Sequence, residues 1–443
     1  MSESLAPALW RQLQTAAEVL AAIRAGRSGT EALEAVSTTL RPGVQALVYA
    51  ALRELGRAQT LRRLLAPRKP APAVDALLCL ALALVWREEG APYEAHTLVN
   101  QAVEAAKHSP QLRAQANFVN ACLRRFLRER AALVAQSNAD PLALWNHPLW
   151  WIERLQREAP GQWQDILRAN QQVAPMTLRV NLRRSSVEAY LAQLQAAGME
   201  AWRNGPQGLT LLAPLPVQQI PGFAQGVVSV QDAAAQRAAP LLLQGLGDRG
   251  GLAGLRVLDA CAAPGGKTAH LLELADLALT ALDMDPRRCQ RITDNLQRLG
   301  LQARVLAADA GQPTTWWDGQ LFDAILLDAP CTASGIVRRH PDVRWLRRES
   351  DVTQLAAQQK RLLQALWPLL KPGGRLLYCT CSVFRAEGEA QLQAFLAHNT
   401  QAHLLPSPGH LWPTLTPKDE AVVDNRSSDH DGFFYALLGK DPG

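Results

Sequence analysis

The stretch RVLDACAAPGGKT, residues 256–268, decides the fold of the larger part of this 443-residue chain. An apolar run ends at Asp259, a turn with the adjacent glycines Gly265 and Gly266 follows, and a helical run begins at Lys267. The order strand, glycine turn, helix is typical of open α/β sheets, because glycines let the backbone approach a ligand that a Cβ atom would exclude. The helix then presents the positive end of its dipole to that ligand.

Strand and helix candidates alternate along the rest of this half. The strand candidates are residues 256–260, 277–283, 303–307, 322–327 and 375–380, and the helix candidates include residues 267–274, 286–299 and 352–370. This alternation predicts an α/β fold, a mostly parallel sheet with helices on both faces. Ligands of such sheets bind at the carboxyl ends of the strands.

The first third of the chain has helical periodicity. Apolar residues recur at steps of three and four from Leu9 to Ile23, and Ser28 to Glu31 has the form of a capping box. Shorter strand and helix patterns between residues 176 and 212 predict a small α+β segment. We therefore expect an all-helical domain over residues 1–145, a small α+β linking domain over residues 146–235 and a Rossmann-like domain over residues 236–443.

Charge and composition narrow the functional classes. The net charge is +6, and residues 1–145 hold 17 Lys and Arg against 12 Asp and Glu. This excess favours a polyanionic partner, although a basic solvated surface explains it equally well. The arginine-rich run at residues 123–130 has the same two interpretations. No apolar run is long enough to span a membrane, and the N-terminus lacks a secretory signal, so we expect a cytoplasmic protein without membrane contact.

Two strand ends carry carboxylates suited to a nucleoside. Asp283 ends the second strand, where one carboxylate can bind two ribose hydroxyls, and Asp309 follows the third, where it can accept from an adenine amino group. The turn reads A-P-G-G-K, which matches neither the dinucleotide pattern nor the phosphate-binding loop. A cofactor without phosphate, S-adenosylmethionine, therefore fits better than a dinucleotide.

Cysteines follow the fourth and fifth strands, in Asp328-Ala329-Pro330-Cys331 and Tyr378-Cys379-Thr380-Cys381-Ser382. A thiolate is needed where an aromatic ring such as cytosine must become electron-rich before carbon 5 can accept a methyl group. Asp328 can bind the protonated ring nitrogen as charge develops. Spacing alone does not choose between Cys379 and Cys381, or between Cys381 and Cys331. The chain has seven cysteines and no C-x-x-C pair, so we expect neither a disulfide framework nor a metal site.

Taken in order, these strings resemble the RNA cytosine-5 methyltransferase family of the Nop2 and Sun type. The resemblance covers roughly residues 220–443, and the helical N-terminal domain looks like the RNA-binding fold of the NusB antitermination factor. It implies a Rossmann-like S-adenosylmethionine-dependent methyltransferase domain, joined to the helical domain through an RRM-like linking domain. One departure is Cys379, where the family usually has Ala or Ser.

The resemblance also implies roles for individual residues. Cys381 is then the nucleophile, and Cys331 assists product release. The residues expected to line the S-adenosylmethionine site are Cys261, Ala262, Ala263, Pro264, Gly265, Gly266, Lys267, Asp283, Asp309 and Asp328.

The implied reaction is methylation of carbon 5 of a cytosine, expected at cytosine 967 of 16S ribosomal RNA, before the small subunit is fully assembled. We expect the protein to act as a monomer, with Lys267 a candidate to activate Cys381. Arg338, Arg339 and His340 are candidates for phosphate contacts; an exposed loop is the other interpretation. Two alternatives stay open: the same chemistry on transfer RNA, and a non-catalytic RNA-binding protein.

Overall fold

A computed structural model describes residues 7–91, 93–247, 251–413 and 429–442. The chain forms two compact units, Met1–Gln171 with Val337–Arg348, and Gln172–Ile336 with Glu349–Gly443. Because both β-sheets fall in the second unit, this division does not test the expected boundaries after residues 145 and 235, which stay predictions. Within the described ranges, no helix is long and apolar enough to cross a membrane.

The first unit is helical. The periodicity from Leu9 to Ile23 forms α1, whose buried face includes Leu13 and Leu20, and Ser28 Oγ accepts from Glu31 N at 3.3 Å as expected of the cap of α2. The helices are α1 Leu9–Arg24, α2 Gly29–Glu34, α3 Arg41–Arg53, α4 Leu55–Leu65, α5 Pro72–Val85, α6 Ala95–His108, α7 Ala116–Ser137, α8 Pro141–Trp145, α9 Leu149–Glu158 and α10 Trp163–Gln171.

The arginine-rich run lies on α7 and has two faces. Leu123 and Phe126 are buried in the helical core, whereas Arg124, Arg125 and Arg128 are exposed. Arg125 is paired with Glu129 at 3.0 Å. The run is therefore an amphipathic helix with a basic outer face, and both interpretations of that face remain compatible with the structure.

Residues 337–348, which follow the Cys331 loop in sequence, belong to the helical unit. Asp342 Oδ2 accepts from Gly29 N at 2.8 Å, and Trp345, on the short helix Val343–Leu346, donates from Nε1 to Leu52 O at 2.8 Å. Arg338 is only 2% exposed, so the exposed-loop interpretation is wrong for this residue, and its side chain does not face solvent where a phosphate could bind. His340 is exposed and stays a candidate.

The second unit begins with a small antiparallel sheet. Its strands are β1 Met176–Val180, β2 Ala201–Arg203, β3 Gly208–Leu211 and β4 Val228–Val230, in the order β2-β3-β1-β4, with α11 Val187–Ala196 packed on them. From β1, Arg179 Nη2 forms a buried ion pair with Glu273 Oε1 at 2.7 Å, on the helix Gly266–Leu274 that follows the glycine turn. This ion pair holds the small sheet next to the helix that begins at the glycine turn.

Among the described residues, the larger sheet has seven strands in the order β10-β11-β9-β8-β5-β6-β7. Strands β5 to β9 are parallel neighbours, as the alternating pattern predicts, and the helices flank them. The elements are α12 Ala238–Leu243, β5 Arg256–Asp259, α13 Gly266–Leu274, β6 Ala278–Asp283, α14 Pro286–Leu299, β7 Arg304–Ala307, β8 Phe322–Asp328, α15 Val343–Leu346 (in the helical unit), α16 Glu349–Leu366, β9 Leu370–Thr380, α17 Glu389–His398, β10 Ala402–Leu411 and β11 Phe433–Lys440.

Two features of this sheet differ from the sequence prediction. The helix expected over residues 352–370 ends at Leu366, before Pro368, because a proline disfavours the α conformation of the residue that precedes it. The antiparallel strands β10 and β11 were not predicted, and β11 pairs with β9 directly beside the cysteine-bearing end.

Candidate active site

The glycine turn between β5 and α13 leaves space at the carboxyl edge of the sheet. Gly265 has φ of 95°, the left-handed region that favours glycine, and a Cβ there would also meet Ile292 Cα at 3.2 Å. Among the described residues, a Cβ on Gly266 would come within 4 Å of Gln231 Nε2 alone, at 3.6 Å. The turn is therefore required by backbone geometry at Gly265, and it is open at Gly266.

Asp259 ends β5 beneath this turn and is fully buried. Its Oδ2 accepts from Thr268 Oγ1 at 2.6 Å. Burial raises the pKa of Asp259 to about 7, although the Thr268 hydrogen bond opposes the shift. The folded protein therefore favours the protonated carboxyl group over much of the acidic range.

Asp259→Asn tests this protonation through stability. Because the folded-state pKa exceeds the unfolded value near 3.8, the stabilisation is fully present below pH 3.8 and is lost as pH rises through about 7. Between about pH 5 and pH 8 the parent should lose about 2–3 kcal/mol of unfolding free energy relative to the variant. Urea unfolding of both proteins at the two pH values measures this, with exposed Asp294→Asn as the control. A parent-to-variant difference that is constant with pH would mean that Asp259 stays ionised.

Carboxylates follow β6, β7 and β8 along the same edge. Asp283 is buried and lies 3.3 Å from Arg288 Nη1, and Asp309 Oδ2 lies 3.0 Å from Arg361 Nη1. Burial alone would raise the pKa of Asp309, but the hydrogen bonds from Arg361 and Gly311 N hold it below its ordinary value. Asp309 is thus ionised and can accept hydrogen bonds. In the structure the exposed Arg361 side chain donates to its carboxylate.

Asp328, the last residue of β8, is paired with Lys267 of α13. Lys267 Nζ lies 2.6 Å from Asp328 Oδ2. Burial alone would lower the pKa of Lys267, but the negative charge of Asp328 and the hydrogen bond to it outweigh burial and raise that pKa above its ordinary value. Lys267 is therefore a fixed positive charge among the carboxylate and thiols of the motifs.

The two motif cysteines meet at the ends of neighbouring strands. Cys331 follows β8 and Cys381 follows β9, both are half-buried, and their Sγ atoms are 3.4 Å apart. The hydrogen bond of the Cys331 thiol to Cys381, together with burial, raises the pKa of Cys331 well above its ordinary value. Cys331 is therefore a protonated thiol in contact with the Cys381 sulfur.

Cys379 has a different environment from Cys381. It is fully buried, and its Sγ donates to Asp328 Oδ1 at 3.5 Å. Burial and the nearby Asp328 carboxylate raise the pKa of Cys379 well above its ordinary value. Cys379 is thus a protonated thiol that supports Asp328, whereas the other cysteine of the Cys-Thr-Cys string faces Cys331.

Cys261 lies in the same glycine turn, and a further buried residue near the motif cysteines, Glu387, was not predicted. Cys261 is half-buried, and burial raises the pKa of its thiol. The Cys261 thiol therefore stays protonated and unreactive. Glu387, beyond β9, is fully buried and hydrogen-bonds to the residues that follow both motif cysteines. Its position ahead of α17 is typical of a carboxylate at a helix start, so no local pattern indicates the hydrogen bond to Thr332, 55 residues earlier.

Comparison with known proteins identifies the family. Residues 253–439 match a family described as 16S rRNA methyltransferase RsmB/F, residues 147–218 match the ferredoxin-like domain of RsmF/B-like methyltransferases, and residues 11–128 match the NusB family. A ribosomal RNA small subunit methyltransferase B of Vibrio cholerae is 40% identical over 425 residues, which cover 94% of each chain. This chain belongs to the ribosomal RNA small subunit methyltransferase B family.

Other relatives agree with this assignment. An Escherichia coli member is 43% identical over 351 residues, which cover 78% of both chains. The crystal structure of PH0851 superposes with a TM-score of 0.75 at 26% identity and covers 97% of this chain and 99% of its own. These matches confirm the expected fold class, a Rossmann-like methyltransferase domain with a NusB-like helical domain and a small α+β linking domain, and they describe the linking domain as ferredoxin-like. They also confirm the expected methyltransferase class of enzyme.

Proposed function

We propose that this chain transfers a methyl group from S-adenosylmethionine to carbon 5 of a cytosine in 16S ribosomal RNA, at cytosine 967 in the conventional numbering. The observation that carries the chemistry is the pair of Cys331 and Cys381 sulfurs, 3.4 Å apart, beside the Lys267 and Asp328 ion pair. The substrate class follows from the names of the relatives, which are ribosomal RNA methyltransferases.

The residues at the sheet edge fit S-adenosylmethionine, which supplies a methyl group on a sulfonium. The turn from Cys261 to Lys267 carries no pyrophosphate cradle and is open at Gly266, consistent with a nucleoside that lacks phosphates. In this proposal Asp283 accepts from the ribose hydroxyls. Asp309, which is paired with Arg361 in the structure, accepts from the adenine amino group after the arginine moves aside. Carboxylates are also suited to a cationic ligand.

Cys381 acts as the nucleophile in this proposal. Its thiolate forms a bond to carbon 6 of the cytosine, which makes carbon 5 electron-rich enough to accept the methyl group. After methylation, the carbon 5 proton passes to water, its electron pair re-forms the double bond of the ring, and Cys381 leaves carbon 6 as a thiolate. Cys331, which hydrogen-bonds to Cys381, assists this release.

Asp328 and Lys267 stabilise the charges that the addition step requires on the cytosine ring and on the Cys381 sulfur. Asp328, protonated for this step, donates to ring nitrogen 3, and the Lys267 ammonium 2.6 Å away keeps its positive charge. The same ammonium favours the Cys381 thiolate electrostatically. Cys379 keeps the other Asp328 oxygen, Oδ1, in place.

The target base has to leave any helical stack to reach the thiolate, so the substrate is single-stranded or opened RNA. We further propose that the chain acts as a cytoplasmic monomer on RNA of a small subunit that is not fully assembled. The exposed arginines of α7 provide a basic surface for that RNA.

The test is methyl transfer by the purified chain to protein-free 16S ribosomal RNA, with bulk transfer RNA as the competing substrate. We expect incorporation into the ribosomal RNA at least about 100-fold above transfer RNA, because recognition of the right site exceeds non-specific binding by several kcal/mol. Bisulfite sequencing should map the modified cytosine to a single position. Preferential labelling of transfer RNA would mean that transfer RNA, and not 16S ribosomal RNA, is the substrate. No labelling of either RNA would favour a non-catalytic RNA-binding protein.

A further inference from the structure

One buried carboxylate connects the two loops that carry the motif cysteines. Glu387 lies in the turn Arg385–Glu387 after β9 and is fully buried. Its Oε1 accepts from Thr332 N at 2.8 Å, and its Oε2 accepts from Thr332 Oγ1 at 2.5 Å and from Ser382 Oγ at 2.6 Å. Thr332 directly follows Cys331, and Ser382 directly follows Cys381.

Neighbouring side chains fix the carboxylate and the loops in turn. Gln359 Nε2 donates to Pro330 O at 2.9 Å and to Glu387 Oε1 at 3.3 Å, and the Tyr378 hydroxyl donates to Glu387 O at 2.7 Å. On the opposite side, Ser334 Oγ and Ser382 Oγ are 2.9 Å apart. A glutamate in this environment is restrained through both its side chain and its backbone.

Burial raises the pKa of Glu387, while the hydrogen bonds from Ser382 and Thr332 oppose that shift. A buried carboxyl group that binds to donors on two separate loops costs desolvation, and a purely apolar contact would avoid that cost. Hydrogen bonds are directional, whereas apolar contacts are not. Each short hydrogen bond to Glu387 therefore fixes the position of a residue next to a reactive sulfur.

We propose that Glu387 is a positioning residue that holds the Cys331 and Cys381 loops at the separation the reaction needs. The inference deepens the proposed function and rests on it for its catalytic meaning, because addition uses Cys381 whereas release requires Cys331 beside it. A displacement of about 1 Å at a reacting group can cost roughly 100-fold in rate. Loosening the two loops should therefore slow release more than addition.

The geometric part can be tested without RNA or cofactor. Diamide accepts two hydrogens as two thiols become a disulfide, and Cys331 and Cys381 must approach from 3.4 Å to about 2.0 Å to form that bond. The rate of this cross-link, identified by mass spectrometry of the peptides, reports how well the loops are held together. Alkylation of Cys381 by iodoacetamide serves as the reference for simple exposure.

We expect Glu387→Ala to slow the Cys331 to Cys381 cross-link at least about 10-fold relative to alkylation, because two loops lose their shared acceptor. Glu387→Gln should stay within about 3-fold of the parent, since its amide oxygen still accepts from Thr332 N and its NH₂ can donate to the hydroxyls. Glu389→Ala, which removes a carboxylate two residues away, is the matched control and should not change the ratio.

The same variants then report on catalysis. In Glu387→Ala we expect roughly 100-fold slower turnover with a larger fraction of RNA attached to protein at steady state, and unchanged cofactor affinity. A folded Glu387→Ala with a parental cross-linking ratio overturns the positioning role. If that variant does not fold, Thr332→Val decides: a lower ratio supports the role, and a parental ratio overturns it.

Failure of the proposed function is distinguishable from failure of this inference. A parent protein that cross-links rapidly but methylates no RNA would contradict the proposed reaction. It would not contradict the role of Glu387 in holding the two cysteine loops together. A parent that methylates RNA, together with a folded Glu387→Ala that cross-links and turns over normally, would contradict only the role of Glu387.

Discussion

Cys381→Ala is expected to abolish methylation and every covalent complex with RNA, whereas Cys331→Ala should accumulate protein attached to RNA. The first variant lacks the sulfur that bonds to carbon 6, so we expect a loss of at least about 1,000-fold in rate. The second keeps that sulfur but loses the group that hydrogen-bonds to it at 3.4 Å, so addition proceeds and release stalls. Denaturing electrophoresis with labelled RNA and S-adenosylmethionine measures both results.

Cys122→Ala is the control for loss of a thiol, because Cys122 is buried in the helical unit. It should retain parental turnover and show no added complex. Accumulation of the complex in Cys381→Ala, with none in Cys331→Ala, would exchange the two roles. If neither variant formed a covalent complex and both still methylated RNA, the cysteine mechanism would be wrong.

The features predicted correctly from the sequence are those with local causes. The apolar strand before Asp259 and the turn at Gly265 are specified by neighbouring residues, so their positions at the sheet edge follow from the alternating pattern. Strand β10 lacks such a signal, because Pro406, Pro408 and Gly409 interrupt it. The fold tolerates them because β10 is an edge strand and a register shift lies between Leu405 and Gly409.

The site shows the same division between local and long-range causes. The choice between Cys379 and Cys381 depends on which sulfur is buried against Asp328, and spacing carries no such information. Arg338 belongs to a basic string that reads as an exposed loop, yet the segment packs within the helical unit. Glu387 has its decisive partners at Thr332, 55 residues earlier, so only the tertiary structure reveals it.

Lys267→Met should lower the rate of methylation by about 100- to 1,000-fold, the range typical of a lost acid or charge partner. The ammonium lies 2.6 Å from Asp328, and its charge also acts on Cys381. Methionine keeps the length and apolar volume of the side chain but removes the positive charge. Formation of the Cys381 thiolate becomes less favourable, whereas the methionine side chain fills the same space in the fold.

The pH dependence separates these effects from a general loss of structure. Without the ammonium the thiolate forms only under more alkaline conditions, so the ratio of parent to variant rate should fall as pH rises from about 7 to about 9. Lys267→Arg keeps the charge and should recover at least about 10-fold of the lost rate, although a guanidinium binds Asp328 with different geometry. Initial rates at saturating S-adenosylmethionine, with unfolding midpoints measured in parallel, provide the comparison. A Lys267→Met rate within a few-fold of the parent across this pH range would show that the ammonium is structural, and the activation of Cys381 would then have to come from another group.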